Sequence, residues 1–172
     1  MKSIKFYAVI LLLIFISKLN FAQETERKIP QINLKDLQGH SFNTSDIKND
    51  GPIVISFWAT WCKPCIQELL AISENYEDWK EETGVKVFAI SIDDARNSPK
   101  VAPFVNGRAW EFEVYLDENS DFKRAMNVNN IPHLFLVDKN GNIVWDHNSY
   151  MPGDEEHLHE LLVKLAAGEK ID

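Results

Sequence analysis

Only two of the 172 residues are cysteine, no lysine- and arginine-rich run occurs, and the longest apolar stretch is 11 residues. Each scarcity removes a class of protein. Two cysteines are too few for a disulfide-stapled scaffold or a four-cysteine zinc site. With 18 Lys+Arg against 26 Asp+Glu, the formal net charge is -8. Such a chain has no electrostatic footprint for a phosphate backbone, which argues against a nucleic-acid partner. The apolar stretch is far short of the roughly 20 residues of a spanning helix. This length holds one core-bearing domain and not comfortably two. No internal repeat or low-complexity segment is present, and a monomer is expected.

That apolar stretch has a place of its own. Met1-Lys2-Ser3-Ile4-Lys5 is a short basic start, Phe6 to Ile16 is the apolar core, and Phe21-Ala22-Gln23 sets a small residue at a cleavage position. Residues 1–22 therefore read as a secretory signal peptide cut after Ala22, with an uncleaved membrane tether as the alternative. A buried helix would need a polar face that this stretch lacks. Lys2, Lys5 and Lys18 are its only charges, so the remaining 150 residues carry a net charge of -11. An exported, periplasmic chain lives where disulfides form and persist, so its cysteine pair is either structural or used in redox chemistry.

Residues 23–29 are polar and read as a flexible lead-in. Two short alternating runs, Ile32/Leu34 and Phe42, flank a turn at Gly39 and predict a β-hairpin. Thr44-Ser45-Asp46 reads as one helical turn. Ile53 to Trp58 is an almost unbroken apolar run, as expected of a strand buried on both faces, and Val85 to Ile92 is a second. Between them, Ile66, Leu69, Leu70, Ile72, Tyr76 and Trp79 fall at helical spacing from Cys62 to about Glu82, with Gly84 beyond the end. Ser98-Pro99 predicts an N-cap and a short helix near Val101 to Val105, and Ser120 a capped helix to Met126. Phe112 to Leu116 reads as a strand. Leu134 to Val137 and Ile143 to Trp145 read as two more, joined by an Asn-Gly turn. Acidic residues open a last helix at Asp154, and Leu158, Leu161, Leu162 and Leu165 form its stripe. Strands alternating with helices predict an α/β domain over residues 30–167 with a mixed sheet, and residues 168–172 as a tail.

The chemistry lies in Trp61-Cys62-Lys63-Pro64-Cys65, between a buried strand and a helix. A thiolate at that position faces unsatisfied N–H groups and the positive end of the helix dipole, which makes Cys62 the nucleophile. Cys65, one turn on, can attack a mixed disulfide and release the partner, so the pair exchanges two electrons. Lys63 adds positive charge, and Pro64 stiffens the first turn where its missing N–H is no loss. Trp61, beside the dithiol, is the one tryptophan of five with a case for touching substrate; the others read as core or rim. His157 and His159 are two apart on a helix, cannot face one target, and read as surface residues.

Phe57-Trp58-Ala59-Thr60-Trp61-Cys62-Lys63-Pro64-Cys65 resembles the active-site stretch of the thioredoxin superfamily, and Asn130-Ile131-Pro132-His133-Leu134-Phe135-Leu136-Val137 resembles its second signature. The lead-in hairpin and the Phe-Trp-Ala-Thr-Trp-Cys form are similar to the exported TlpA/ResA-like branch. The resemblance implies a thioredoxin fold, with a mixed central β-sheet flanked by helices and an N-terminal β-hairpin extension. It implies a cis Ile131–Pro132 bond whose loop pairs with substrate, and a role for Glu68 in proton handling near the dithiol. It further implies reduction of protein disulfides, including apocytochrome c thiols, without an organic cofactor and with electrons from a membrane thiol carrier of the DsbD/CcdA kind. Two positions depart from classical thioredoxins. Ser56 stands where their buried strand carries an aspartate, so proton traffic falls to Glu68, water or solvent. His133 stands where a threonine is common, either steadying the Cys62 thiolate or lying as a loop histidine.

Other readings share the fold. A Sco-like copper metallochaperone would use Cys62, Cys65 and His133 as ligands, although its motif has three residues between the cysteines rather than two. A thiol peroxidase calls for a lone reactive cysteine in a Pro/Thr-rich loop, and a non-catalytic module fits badly with a retained dithiol.

Overall fold

The computed structural model describes residues 27–171, and the leader expected over residues 1–22 lies outside them. Its centre is the run Ile53–Trp58, which forms strand β3 with all six residues buried. Around it the chain lays down β1 (Asn33–Asp36), β2 (Ser41–Asn43), β4 (Lys86–Ser91), β5 (Glu113–Leu116), β6 (His133–Val137) and β7 (Ile143–Asn148). The seven strands form one mixed sheet in the order β2-β1-β5-β4-β3-β6-β7. Strands β3, β4 and β5 run parallel, β6 and β7 return antiparallel, and the β1–β2 hairpin closes the far edge antiparallel to β5. This is the expected thioredoxin-like α/β fold with its N-terminal hairpin extension.

Among the described residues four α-helices cover the sheet: α1 (Lys63–Thr83), α2 (Val101–Asn106), α3 (Asp121–Ala125) and α4 (Asp154–Ala166). Alternation along β3 sends Val54 and Trp58 to one face, against Leu69, Ile72, Tyr76 and Trp79 of α1, Val101 and Val105 of α2, and Leu158, Leu161 and Leu162 of α4. Ile53, Ile55 and Phe57 go to the other face, with Leu34 of β1 and Phe122 of α3. A fully buried side chain of this size contributes about 1.5–3 kcal/mol. Packing of the α1 stripe therefore outweighs intrinsic helix propensity in holding that helix. Gly84 ends α1 in the left-handed region (φ 68°), its N–H returning to the Lys80 carbonyl.

Several local expectations need correction. Ser98 is not an N-cap: its hydroxyl donates to Glu118 at 2.6 Å, and the 3-10 turn Ser98–Lys100 starts after Asn97, one residue earlier. Ser120 does precede α3, but with φ 56° and no capping bond from its side chain. Asp117 caps instead, its carboxylate accepting the N–H groups of Phe122 (3.1 Å) and Lys123 (2.8 Å). A carboxylate reaches the free N–H groups from outside the helix, which pattern reading at the N-cap does not anticipate. Strand β7 runs three residues beyond the predicted Trp145, because its ladder to β6 continues to Asn148↔His133. Within the lead-in read over residues 23–29, Arg27 and Lys28 contact the β6–β7 hairpin. Lys28 bridges Asn142, the Arg27 carbonyl accepts the Ile143 N–H, and the Arg27 guanidinium pairs with Asp146 at 2.8 Å.

Candidate active site

At the end of β3 the chain turns through Ala59-Thr60-Trp61 into α1, and the Cys62 N–H closes the turn on the Ala59 carbonyl at 3.0 Å. Cys62 is the N-cap of α1, with extended backbone (φ -92°, ψ 96°), and its Sγ accepts the Cys65 N–H at 3.3 Å. The two sulfurs are bonded to each other, with Cα atoms 5.3 Å apart. When that bond opens, a Cys62 thiolate keeps the N–H donor and faces the positive end of a 21-residue helix, both of which favour the charged sulfur. Cys65 is completely buried and Cys62 is 6% exposed, so the sulfur an incoming disulfide meets first is that of Cys62. Trp61 stands out beside it, 64% exposed, whereas Trp58, Trp79 and Trp110 are buried.

The Ile131–Pro132 bond is cis. Phe57 pairs with His133 across the β3–β6 ladder, which places Pro132 at the end of the sheet from which Cys62 emerges. The Pro132 carbonyl accepts the Ser149 N–H at 3.0 Å. Ile131 is partly buried and packs against both halves of the core.

Glu68, three residues after Cys65 on α1, is 4% exposed. Its Oε2 accepts the Ser56 hydroxyl at 2.7 Å. Burial pushes the carboxyl up to about 7, against the lowering effect of the Ser56 hydrogen bond and with a smaller push from the Asp154 charge. Ser56 is thus tied to the dithiol's surroundings: the acid that the strand lacks is supplied from the helix, and the serine holds it. A carboxyl that takes and gives protons near neutral pH, one turn from a thiol, has the properties of a general acid–base.

His133 is not brought to the dithiol. Its ring stacks on Phe135 with centroids 4.4 Å apart, on the face carrying Phe57 and Phe122, whereas Cys62 and Cys65 lie in the core of the opposite face. Its Nε2 lies 3.1 Å from Asp146, which also receives Arg27. Burial alone would raise Asp146, but the hydrogen bonds from Arg27 and His133 hold its carboxyl below the usual range. The copper reading through Cys62, Cys65 and His133 therefore lacks its third ligand, since β-strand alternation sends that side chain through the sheet. His159 lies at the surface as expected, where it stacks on Trp79 and pairs with Glu82 at 2.7 Å.

Sequence reasoning missed Asp93. This carboxylate is fully buried just past β4. It accepts the Thr60 N–H (2.8 Å), the Thr60 hydroxyl (2.6 Å) and the Ser91 hydroxyl (2.9 Å). It clamps the loop that carries Trp61 and Cys62 to the neighbouring strand. The available signal was an acid at the carboxyl end of a central parallel strand, where α/β sheets build their sites.

Comparison with known proteins agrees with this geometry. The model of the AhpC/TSA family matches residues 25–146. The chain belongs to the AhpC/TSA family. It is 34% identical over 114 residues to the thiol-disulfide oxidoreductase ResA of Geobacillus kaustophilus (strain HTA426), a match covering 66% of this chain and 63% of that relative's length. An uncharacterized thioredoxin-like protein from Porphyromonas gingivalis shares 47% identity at a TM-score of 0.73, over 84% of this chain and 95% of the other. A putative thiol:disulfide interchange protein DsbE from Chlorobium tepidum shares 27% identity at a TM-score of 0.72, over 82% and 96%. This AhpC/TSA member is therefore ResA-like, and its CxxC disulfide is the site of a thiol-disulfide oxidoreductase. The bonded pair also separates it from the lone-cysteine peroxidase arrangement.

Proposed function

We propose that this chain is an exported thiol-disulfide oxidoreductase that reduces disulfides in protein substrates, apocytochrome c thiols among them, with electrons supplied by a membrane thiol carrier. The observation that carries the reading is the Cys62–Cys65 disulfide at the N-terminus of α1, with Cys62 accepting the Cys65 N–H and a buried, protonatable Glu68 one turn further on. Cys62 attacks the substrate disulfide, Cys65 resolves the mixed disulfide, and Glu68 handles the Cys65 proton. Trp61 and the Ile131–Pro132 loop seat an extended substrate segment. The basic start and apolar core of residues 1–16 support export.

The reduction potential of the full chain, equilibrated against defined dithiol buffers and read by thiol alkylation, tests the direction. A value below about -240 mV fits a reductase, and one above about -180 mV makes the protein an oxidant or isomerase instead. The assignment of roles is tested by trapping: Cys65→Ser accumulates mixed disulfides through Cys62. Trapping by Cys65 in Cys62→Ser, and not the reverse, reverses the assignment.

A further inference from the structure

A general acid–base at 4% exposure needs a route for its proton, and the described residues form a candidate for it. Glu68 lines a cavity of about 40 Å³ between α1, the β6–β7 edge and α4. At roughly 10–15 Å³ for each water-sized site, the cavity has room for about three or four water molecules. The other ionisable side chains facing it are His147 of β7, Tyr150 of the following loop, and Asp154, Glu155 and His157 of α4; the rest of the wall is apolar.

Most of these groups are committed elsewhere. The Tyr150 hydroxyl donates to Glu155 Oε2 at 2.8 Å, and that oxygen also accepts the Gly153 N–H. His157 pairs along its own helix with Glu160 at 3.7 Å. His147 and Asp154 are partnered as well, His147 stacking on Trp145 with centroids 5.6 Å apart and Asp154 Oδ2 accepting the Met151 N–H at 2.7 Å, but they also face each other. His147 Nε2 lies 3.4 Å from Asp154 Oδ2, and the two side chains are 40% and 35% exposed, so the pair touches both the cavity and bulk solvent. The Asp154 charge also reaches Glu68 across the cavity, adding to the upward push on its carboxyl. An imidazole beside a carboxylate can take a proton on one ring nitrogen and release one from the other.

We propose that the His147–Asp154 pair passes protons between Glu68 and solvent through this cavity. The pair acts through Glu68 and does not touch the reacting sulfurs. The proposal rests on the dithiol chemistry proposed above, whose balance shows where the proton arises. The Cys62 thiolate bonds to one substrate sulfur and expels the other as a thiolate. Cys65 gives its proton to the Glu68 carboxylate, and its sulfur bonds to Cys62, expelling the second substrate thiolate. Protein dithiol and substrate disulfide have become protein disulfide and substrate dithiol, a transfer of two electrons. The expelled thiolates take protons from solvent. The Cys65 proton remains on Glu68 and leaves by way of His147 and Asp154. Re-reduction runs the same route inward.

The test is single-turnover oxidation of the reduced full chain by oxidised glutathione between pH 6 and 9 in dilute buffer, following the Cys65-dependent second phase. His147→Gln and Asp154→Asn are each expected to slow that phase about tenfold, below the roughly 10²–10⁴-fold supplied by a group acting on the reacting atoms themselves. Added imidazole restores the rate in the variants and leaves the wild type unchanged, a response that a purely structural defect does not give. Asn at 154 can still accept the Met151 N–H that Asp154 holds at 2.7 Å. If that variant does not fold, His147→Gln carries the test. Variants as fast as wild type, or slowed equally at every imidazole concentration, overturn the proposal alone. A wild-type chain that forms no mixed disulfide with glutathione overturns the dithiol reading as well.

Discussion

Two buried carboxylates flank the dithiol loop, and they are treated in opposite ways. Asp93 accepts three hydrogen bonds, two from Thr60 and one from Ser91. Glu68 accepts one from Ser56 and otherwise faces a cavity with further acids on its wall. Donors on both oxygens turn an acid into an anchor. One donor plus desolvation leaves a carboxyl whose proton is exchangeable near neutrality. The anchor fixes where Cys62 stands, and the exchangeable acid answers to what Cys65 does.

The largest effect expected from this contrast comes from removing the anchor. Asp93→Ala leaves the Thr60 N–H and hydroxyl and the Ser91 hydroxyl without their acceptor, and stranded groups of this kind cost about 1–3 kcal/mol each. Because Thr60 is only partly buried, a total of about 3 kcal/mol is expected in urea unfolding, together with slower attack by Cys62. A neutral result would mean that the loop is held by the Ala59–Cys62 turn and its packing, and the anchor reading would fail.

Glu68→Gln probes the other acid, and the sign of its effect is opposite. Folding raises the Glu68 carboxyl from 4.5 to about 7, so the folded state binds the proton more tightly than the unfolded one. The stability this gives is complete below about pH 4.5 and is lost as pH rises through 7, a difference of about 3 kcal/mol at about 1.4 kcal/mol per tenfold change in proton affinity. Acids such as Asp146 and Glu118 are held low and act at more acid pH. Wild-type stability should therefore fall between pH 4.5 and 7 while the glutamine variant stays level, even as its thiol exchange loses dependence on a group titrating near neutrality. Parallel stability curves for the two proteins would place the sloping group elsewhere.

Much of this was legible in the sequence because local signals and tertiary need agreed. The apolar run Ile53 to Trp58 fits a strand buried on both faces, and a CxxC after it with an amphipathic stretch behind it points to the nucleophile, the helix and the end of the sheet together. Glu68 was legible through resemblance to a family, since one glutamate on a helix has no pattern of its own. What escaped notice depends on side chains meeting across sequence distance. Asp93 lies 33 residues from Thr60, Asp117 caps a helix that it precedes by several residues, and Ser56 reads as a polar interruption in an apolar strand. His133 shows the converse: its closeness to Pro132 in sequence suggested a place at the dithiol, and the two-residue period of β6 carried it to the other face.

Ser56 gives the smallest and most discriminating prediction, because it is the single donor that separates Glu68 from a carboxyl with none. The hydroxyl lowers the Glu68 carboxyl against the upward pull of burial. Ser56→Ala removes that opposition without adding charge, so the proton should be held to higher pH. A net hydrogen-bond contribution of about 1 kcal/mol corresponds to less than about one pH unit. The direction matters more than the size. Carbon-13 NMR titration of the glutamate carboxyls in the oxidised full chain reads it directly. An upward move shows that the Ser56 donor helps set where the Glu68 proton is held. A midpoint that stays put or falls shows that desolvation and the Asp154 charge set it alone, and Ser56 is then only a small residue that leaves the helix room to lie against the strand.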